Sequence, residues 1–309
     1  VRHDFENGFT IDGHYRKQDY HIHRPPKSMN SLHVEYDFHR FRKENCFDIS
    51  TETDSFYCYP TNPDIITKLA FATEEIYKKL VDTLGTDVKI WAIDPQRVGI
   101  ENFLSYVREN YKDVVFTFGH SAATFKQCKE VSKYGITLQT HHGDSGKVFG
   151  LAQGTMGAGC DEYSLYNTDM FIEIICDYTG IHVVPDLLKM VMKTKGVDRV
   201  ILISDSMAKS GDYTNNEELG IAYGPDLNYD YEGKLSGSHL TLDNACKNLM
   251  THTGYGLCHA IRCASLNPAK VLGIDNKYGS IEKGKIANLI IIDDEVNVKN
   301  VMLQGEMVR

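Results

Sequence analysis

The chain has 309 residues, enough to bury a large core, and its 42% hydrophobic and 24% charged residues are ordinary for a globular protein. A net charge of −9, with no Lys/Arg-rich stripe, argues against nucleic acid or an anionic membrane as partner. No apolar run approaches the roughly 20 residues that span a bilayer, the N-terminus lacks a signal-peptide layout, and the eight cysteines form no C-x-x-C pair, so free thiols and a cytoplasmic location are expected.

The first 60 residues are polar, rich in histidine and aromatics, and contain few clean strands. Pro63 to Leu84 carries apolar residues at helical spacing (Ile66, Leu69, Ala70, Ile76, Leu80) and is closed by Gly85. A strand is expected over Val88–Ile93, a helix over Ile100–Glu109, a strand over Val114–Phe118, a helix over Ala122–Tyr134 and a strand over Ile136–Thr140. Farther on, Met170–Cys176 reads as a strand, Pro185–Lys195 as a helix ended by Gly196, and Arg199–Ser204 as a strand. Alternating β and α segments imply parallel strands, and their apolar character on both faces implies helices covering them. Ser210–Ser238, rich in Gly, Asn, Asp and Tyr, is expected as a long loop or a small excursion over the barrel mouth, and the tail from Tyr278 returns to β-type segments at Ala287–Ile292 and Val298–Leu303.

Chemistry-bearing residues recur where the strands end. His120 follows Val114–Phe118 and Gly119, His141 follows Ile136–Thr140, His182 follows Met170–Cys176 at a short distance, and Asp205 follows Arg199–Ser204. Side chains leaving the C-terminal ends of parallel strands converge on one mouth, where (β/α) enzymes place their chemistry. Ser121 is placed to cap the helix after His120, and His141 is preferred over its neighbour His142 because it follows the strand directly. Near the N-terminus, His21 and His23 lie on one face of an extended segment, with Asp12-Gly13-His14 as a nearby competitor. Imidazoles with a carboxylate suit a zinc-type ion. Such an ion lowers the pKa of bound water from roughly 15.7 to about 7, and an aspartate beside it can shuttle the proton.

Downstream motifs sharpen this picture. Lys234-Leu235-Ser236-Gly237-Ser238-His239-Leu240-Thr241-Leu242 resembles LAGS-x-LTL, and Ala264-Ser265-Leu266-Asn267-Pro268-Ala269-Lys270-Val271-Leu272-Gly273 resembles AS-x-NPA-x-x-LG. Gly279 to Leu289 resembles G-x-I-x-x-G-x-x-A-(D/N)-L, and Glu173-Ile174-Ile175-Cys176-Asp177 with Gly180-Ile181-His182-Val183 resembles E-(L/I)-I-x-D-G-x-H-V, with Tyr178 and Thr179 inserted. These stretches, from about Val88 to the C-terminus, resemble the N-acetylglucosamine-6-phosphate deacetylases of the amidohydrolase superfamily. The resemblance implies a (β/α)8 TIM-like barrel of the metal-dependent hydrolase type with a small, partly missing β-sandwich module. Its expected divisions are an N-terminal segment over 1–18, the barrel over 19–277 and small-module strands over 278–309. It implies one or two divalent ions, zinc by type, on His120 and His141, with His21 and His23 as the metal pair used in some members. It further implies Asp205 as catalytic acid/base, His182 at the substrate's acetamido group, an amino-sugar phosphate as substrate, and a homodimer.

The chain also departs from that pattern. The Glu-Gly-Pro stretch whose glutamate binds metal is not matched; Glu52 stands in about that region without the Gly-Pro. The THLFNAM motif continues here as His-Gly-Asp-Ser-Gly after Thr140-His141, so Asp144 replaces the asparagine near the phosphate, and a carboxylate repels that group. The arginine expected beyond it has no match in Gly150–Gly154. Removal of acetate from N-acetylglucosamine 6-phosphate is the leading expectation. A hydrolase of cyclic amides, an aminohydrolase, or a barrel that only binds its ligand are the alternatives.

Overall fold

The computed structural model describes residues 74–144, 157–206, 221–223, 226–229 and 235–309, together with two short paired strands, β1 (Thr51–Glu52) and β2 (Tyr57–Cys58). Helix α1 (Glu74–Leu84) is the C-terminal part of the helix expected from Pro63; residues 63–73 lie outside the described residues. Next come β3 (Ile90–Ile93), α2 (Ile100–Asn110), β4 (Val115–Phe118), α3 (Phe125–Val131), β5 (Ile136–Gln139), α4 (Cys160–Tyr166), β6 (Phe171–Ile175), α5 (Pro185–Lys195) and β7 (Val200–Ile203). Strands β3 to β7 form one parallel sheet in sequence order.

The strand sequences explain the layering. Alternate residues of β4 point to opposite faces. Phe116 and Phe118 pack outward with Leu104, Val107 and Val131 under α2 and α3, while Val115 joins Leu138 and Ile201 on the inner face. Farther along the sheet, Ile172 and Ile174 of β6 pack outward with Leu188, Val191 and Met192 of α5. Phe171 belongs to the inner cluster, so Glu173, two residues on, faces inward as well. A charged side chain on the inner face of an otherwise apolar strand marks the end of the sheet where the polar site lies.

After β7 the structure resolves the two alternatives left by the sequence, a long loop or a small excursion. The Ser210–Ser238 region holds a small antiparallel sheet rather than a continuous loop: β8 (Ile221–Tyr223), β9 (Leu227–Tyr229) and β10 (Leu235–Ser238). Its last residue is joined to the end of β7, because the Ser238 N–H donates to the Asp205 carbonyl at 2.8 Å. Helices α6 (Leu242–Thr253), α7 (Leu257–Ile261) and α8 (Asn267–Val271) follow, with a π-helical turn at Arg262–Leu266 linking the last two. The Asn267 side chain donates to the carbonyls of Val197 and Val200, both at 2.7 Å, which fastens this helical segment to the start of β7.

The C-terminal tail folds as expected into antiparallel strands β11 (Leu289–Ile292) and β12 (Val298–Leu303), extended by β13 (Glu306–Met307). Gly279 makes the turn into this module at φ +88°, where an added Cβ would sit 2.9 Å from Ala269 Cβ and 3.0 Å from Leu266 Cα. Gly279→Ala is therefore expected to cost about 1–3 kcal/mol, read as a lower denaturant midpoint with an unchanged slope. Among the described residues no helix is long and apolar enough to cross a membrane, and the six cysteines are free thiols.

Candidate active site

His120 and His141 stand two residues beyond the ends of β4 and β5. The Gly119 N–H donates to the Ile93 carbonyl at 3.0 Å and the Thr140 N–H to the Phe118 carbonyl at 2.9 Å, so the ladder continues up to each histidine. Their Nε2 atoms approach to 2.6 Å with the rings nearly perpendicular. On the other side of the His141 ring, Nδ1 lies 3.3 Å from the Asp144 carbonyl, the arrangement in which Nδ1–H donates and Nε2 turns its lone pair inward. His141 has φ +27° and Asp205 φ +48°, both in the left-handed region that ordinary residues avoid. Residues held in this region cluster at functional sites, although Val296 and Gln304 in the C-terminal module adopt it too.

Carboxylates surround this pair. Burial pushes the Glu173 carboxyl up to about 7, against the opposing pull of His141; Asp205 adds to the rise. Burial also raises Asp144, which faces His141, His182, Asp205 and Asp161 electrostatically. Asp205, two residues past β7, thus shares one electrostatic neighbourhood with His141, Asp144, Glu173 and His182.

His182 reaches the same neighbourhood differently. It lies in the loop between β6 and α5, and buried Asp177 organises that loop by accepting from Thr179 Oγ1, from the Ile181 and His182 N–H groups, and from His182 Nδ1 at 3.1 Å. Burial works against both charges. The mutual hydrogen bond, with the loop amides, holds Asp177 well below the usual carboxylate range; that bond and the charges of Asp144 and Asp205 hold His182 above its ordinary value. His182 Nε2 is buried and has no hydrogen-bond partner among the described residues, an uncommon state that an incoming polar group would relieve.

The loop after His120 corrects one expectation. Ser121 does not cap the following helix; its hydroxyl donates to Asp94 at 2.6 Å and accepts from the Ala123 N–H at 2.9 Å. Thr124 caps α3 instead, in a reciprocal capping box with Gln127. Asp94, at the C-terminal end of β3, thereby ties the His120 loop to the sheet.

The structure therefore brings His120 and His141 into contact and places Asp205 and His182 around them. His21 and His23 lie outside the described residues. The sequence motif contained Glu173 and Asp177 without giving either a role, although a lone acid inside the apolar run Phe171–Ile175 was a usable signal, and Asp161 carried no signal. Among the described residues no three His, Cys, Asp or Glu side chains are grouped closely enough to hold a metal ion. Two imidazole nitrogens facing one point do fit such an ion as part of its ligand set. A tetrahedral zinc-type ion needs its nitrogen ligands about 3.3 Å apart, given Zn–N near 2.0–2.1 Å, a small opening from the present separation.

A family model for the amidohydrolase family matches residues 113–308. The chain belongs to the amidohydrolase family. Among curated proteins it is 28% identical to an N-acetylglucosamine-6-phosphate deacetylase of Haemophilus influenzae, over 86% of this chain and 62% of that protein. It is also 28% identical to an N-acetylgalactosamine-6-phosphate deacetylase of Escherichia coli O157:H7, over 79% of this chain and 63% of that one. This amidohydrolase spans about three fifths of the length of these relatives. A crystal structure of N-acetylglucosamine-6-phosphate deacetylase from Pasteurella multocida, 25% identical, matches with a TM-score of 0.62 over 76% of this chain and 60% of that one. The Thermotoga maritima deacetylase, at 23% identity, shares the fold with a TM-score of 0.67 over 91% of this chain and 76% of its own. The five parallel strands are thus part of a barrel-type metal-dependent hydrolase fold.

Proposed function

We propose that this amidohydrolase removes the acetyl group from an N-acetylated hexosamine 6-phosphate, N-acetylglucosamine 6-phosphate or its galactosamine epimer. The observation that carries the reading is the meeting of His120 and His141 Nε2 at 2.6 Å, beside Asp205 at the end of β7. Similarity to two curated deacetylases acting on the two epimers supports the reaction and leaves the epimer to experiment. The chain is proposed to complete a (β/α)8 barrel over 19–277 with a small β module over 278–309, to work as a homodimer, and to take one or two divalent ions.

In this reading Nε2 of His120 and of His141 hold the ion, with His21 and His23 as further proposed ligands. When bound, the ion supplies Lewis-acid polarisation of the acetamide carbonyl and acidifies water. Asp205 Oδ accepts a proton from the attacking water and passes it to the departing amine nitrogen. His182 Nε2 faces the acetamide oxygen. Because Nδ1–H donates to the Asp177 carboxylate, Nε2 carries a proton to donate only in the imidazolium form.

A pH prediction follows with a definite sign. The folded-state pKa of His182 is raised, so the donor form is complete at low pH and is lost as pH climbs through that raised value. Asp177→Asn removes the charge that supports the imidazolium, and the alkaline limb of kcat/KM is expected to move to lower pH. An alkaline limb that stays in place would separate His182 from this role.

The function itself is tested with a substrate panel on divalent-ion-loaded protein: both N-acetylhexosamine 6-phosphates, their unphosphorylated forms, a cyclic amide and an aminopurine. Acetate from the phosphorylated sugars is the expected result. Ring opening of the cyclic amide or ammonia from the purine, without acetate, would replace this function by the corresponding hydrolase activity.

A further inference from the structure

The short segment carrying His141 is held by few bonds of its own: the Glu173 carboxylate accepts from the His141 main chain, and His141 Nδ1 lies 3.3 Å from the Asp144 carbonyl. Past β5 its main chain leaves the sheet, His141 takes a left-handed φ of +27°, and Gly143 follows at φ +80°. Glycine suits that positive φ, and an added Cβ would in addition press on Leu187 Cδ2 at 2.9 Å. Within the turn only Asp144 N–H to the His141 carbonyl, at 3.1 Å, closes a main-chain bond; the His142 N–H is spent on the Glu173 carbonyl at 2.8 Å.

A side chain from a different element completes the support. Asp161, in the first turn of α4, accepts from Gln139 Nε2 at 2.7 Å through Oδ1 and from the Gly143 N–H at 3.3 Å through Oδ2. One carboxylate thus grips the residues two positions before and two positions after His141. The grip is itself anchored. Gln139 Oε1 accepts from the Ser164 hydroxyl one turn along α4, and Lys195 Nζ, at the end of α5, donates to the carbonyls of Ser164 at 3.0 Å and Asn167 at 2.5 Å. Beside the carboxylate sits the buried ring of His142, its Nδ1 3.7 Å from Asp161 Oδ1 and without a hydrogen-bond partner among the described residues. Gln139, Ser164, Lys195 and His142 are all buried, so the network is fixed from behind rather than by solvent.

We propose that Asp161 is a positioning residue of the active site, which with Gln139 clamps the Thr140–Asp144 turn and so aims Nε2 of His141 at the point it shares with His120. The proposal rests on the reading of His141 as a metal ligand. It goes beyond that reading by assigning the ligand's orientation to a carboxylate that touches neither metal nor substrate. A strained ligand held by outer hydrogen bonds is sensitive to their loss, typically by 10- to 100-fold in metal affinity or activity.

The test compares the full chain with Asp161→Ala and Asp161→Asn, using Co2+ as the probe ion, titrated by its visible absorption. Hydrogen exchange of the segment 139–144 is followed by mass spectrometry on the same samples. Asp161→Ala is expected to weaken Co2+ about 10- to 100-fold and to speed exchange of that segment, while exchange in β4 and β7 stays as in the parent. Asp161→Asn keeps one acceptor and is expected to recover part of both effects, which a role confined to overall stability would not produce. If Asp161→Ala does not fold, the Asn variant alone decides, with an intermediate loss expected. Parent-like Co2+ affinity and parent-like exchange in either variant would overturn the proposal. Should the parent itself bind no Co2+, the metal reading of His141 fails, and the exchange of segment 139–144 still decides whether Asp161 holds the turn.

Discussion

Asp205→Asn is expected to lower kcat for acetate release by about 10²- to 10⁴-fold, the usual contribution of a positioned general acid–base group. The substitution keeps the shape of the side chain and removes only its ability to take and return a proton. It also leaves the main chain intact, where the Asp205 carbonyl accepts from the Ser238 N–H at 2.8 Å and holds β10 against the end of β7. Asparagine tolerates the left-handed conformation that residue 205 adopts at φ +48°. KM should therefore change little, and circular dichroism and the unfolding midpoint should stay near those of the parent. A variant that releases acetate at the parent rate would remove Asp205 from the proton transfer.

His141→Asn is expected to weaken divalent-ion binding by more than about 100-fold, beyond the loss seen when only an outer-sphere partner is removed. Asparagine is chosen because it accepts a positive φ, here +27°, more readily than alanine. The effect then reports the lost imidazole and not a distorted turn. His120→Ala should act in the same direction, because its Nε2 meets that of His141 at 2.6 Å. The two substitutions combined should cost less than the sum of their separate effects, since they remove parts of one site. The readout is metal content after dialysis against a trace of chelator, measured alongside unfolding. Equal metal content in parent and variants would place the ion elsewhere.

Much of the fold was legible because strands buried on both faces read as short apolar runs. Val115–Phe118, Ile136–Gln139 and Val200–Ile203 sit within a residue or so of where the apolar pattern put them. The ends of those runs drew attention to His120, His141 and Asp205, each of which stands two residues beyond its strand, because a polar residue after a buried strand must leave the sheet at its rim. The helices from Leu242 to Val271 were not anticipated as such; that stretch drew notice for its motifs while its helical spacing of Ala245, Cys246 and Leu249 went unused. The small sheet β8–β10 was hidden by the Gly, Asn, Asp and Tyr content of its surroundings. Its strands are three or four residues long, too short for an alternating pattern to stand out.

The supporting carboxylates were harder to see for a physical reason. Asp161 and Asp177 act through hydrogen bonds to backbone N–H groups and to Gln139 and His182, partners that only the folded chain brings near. Nothing in local spacing marks an aspartate in the first turn of α4 as anything but a favourable helix start. Asp177 is similar: its neighbours in sequence suggest a turn, and the structure adds that His252 Nε2 meets the Asp177 carbonyl at 2.9 Å from α6. Support of this kind arises from packing, and the local pattern carries no trace of it.

The most direct test is the stoichiometry of products from N-acetylglucosamine 6-phosphate after the protein has been stripped with a chelator and reloaded with a divalent ion. One acetate and one free amine per sugar, formed by the reloaded protein, absent from the stripped protein and formed about 10²- to 10⁴-fold more slowly by Asp205→Asn, is the predicted result. Reloaded protein that binds the sugar phosphate yet forms neither acetate nor amine would contradict it, and would leave the strand-end histidines as the remains of a site that only binds.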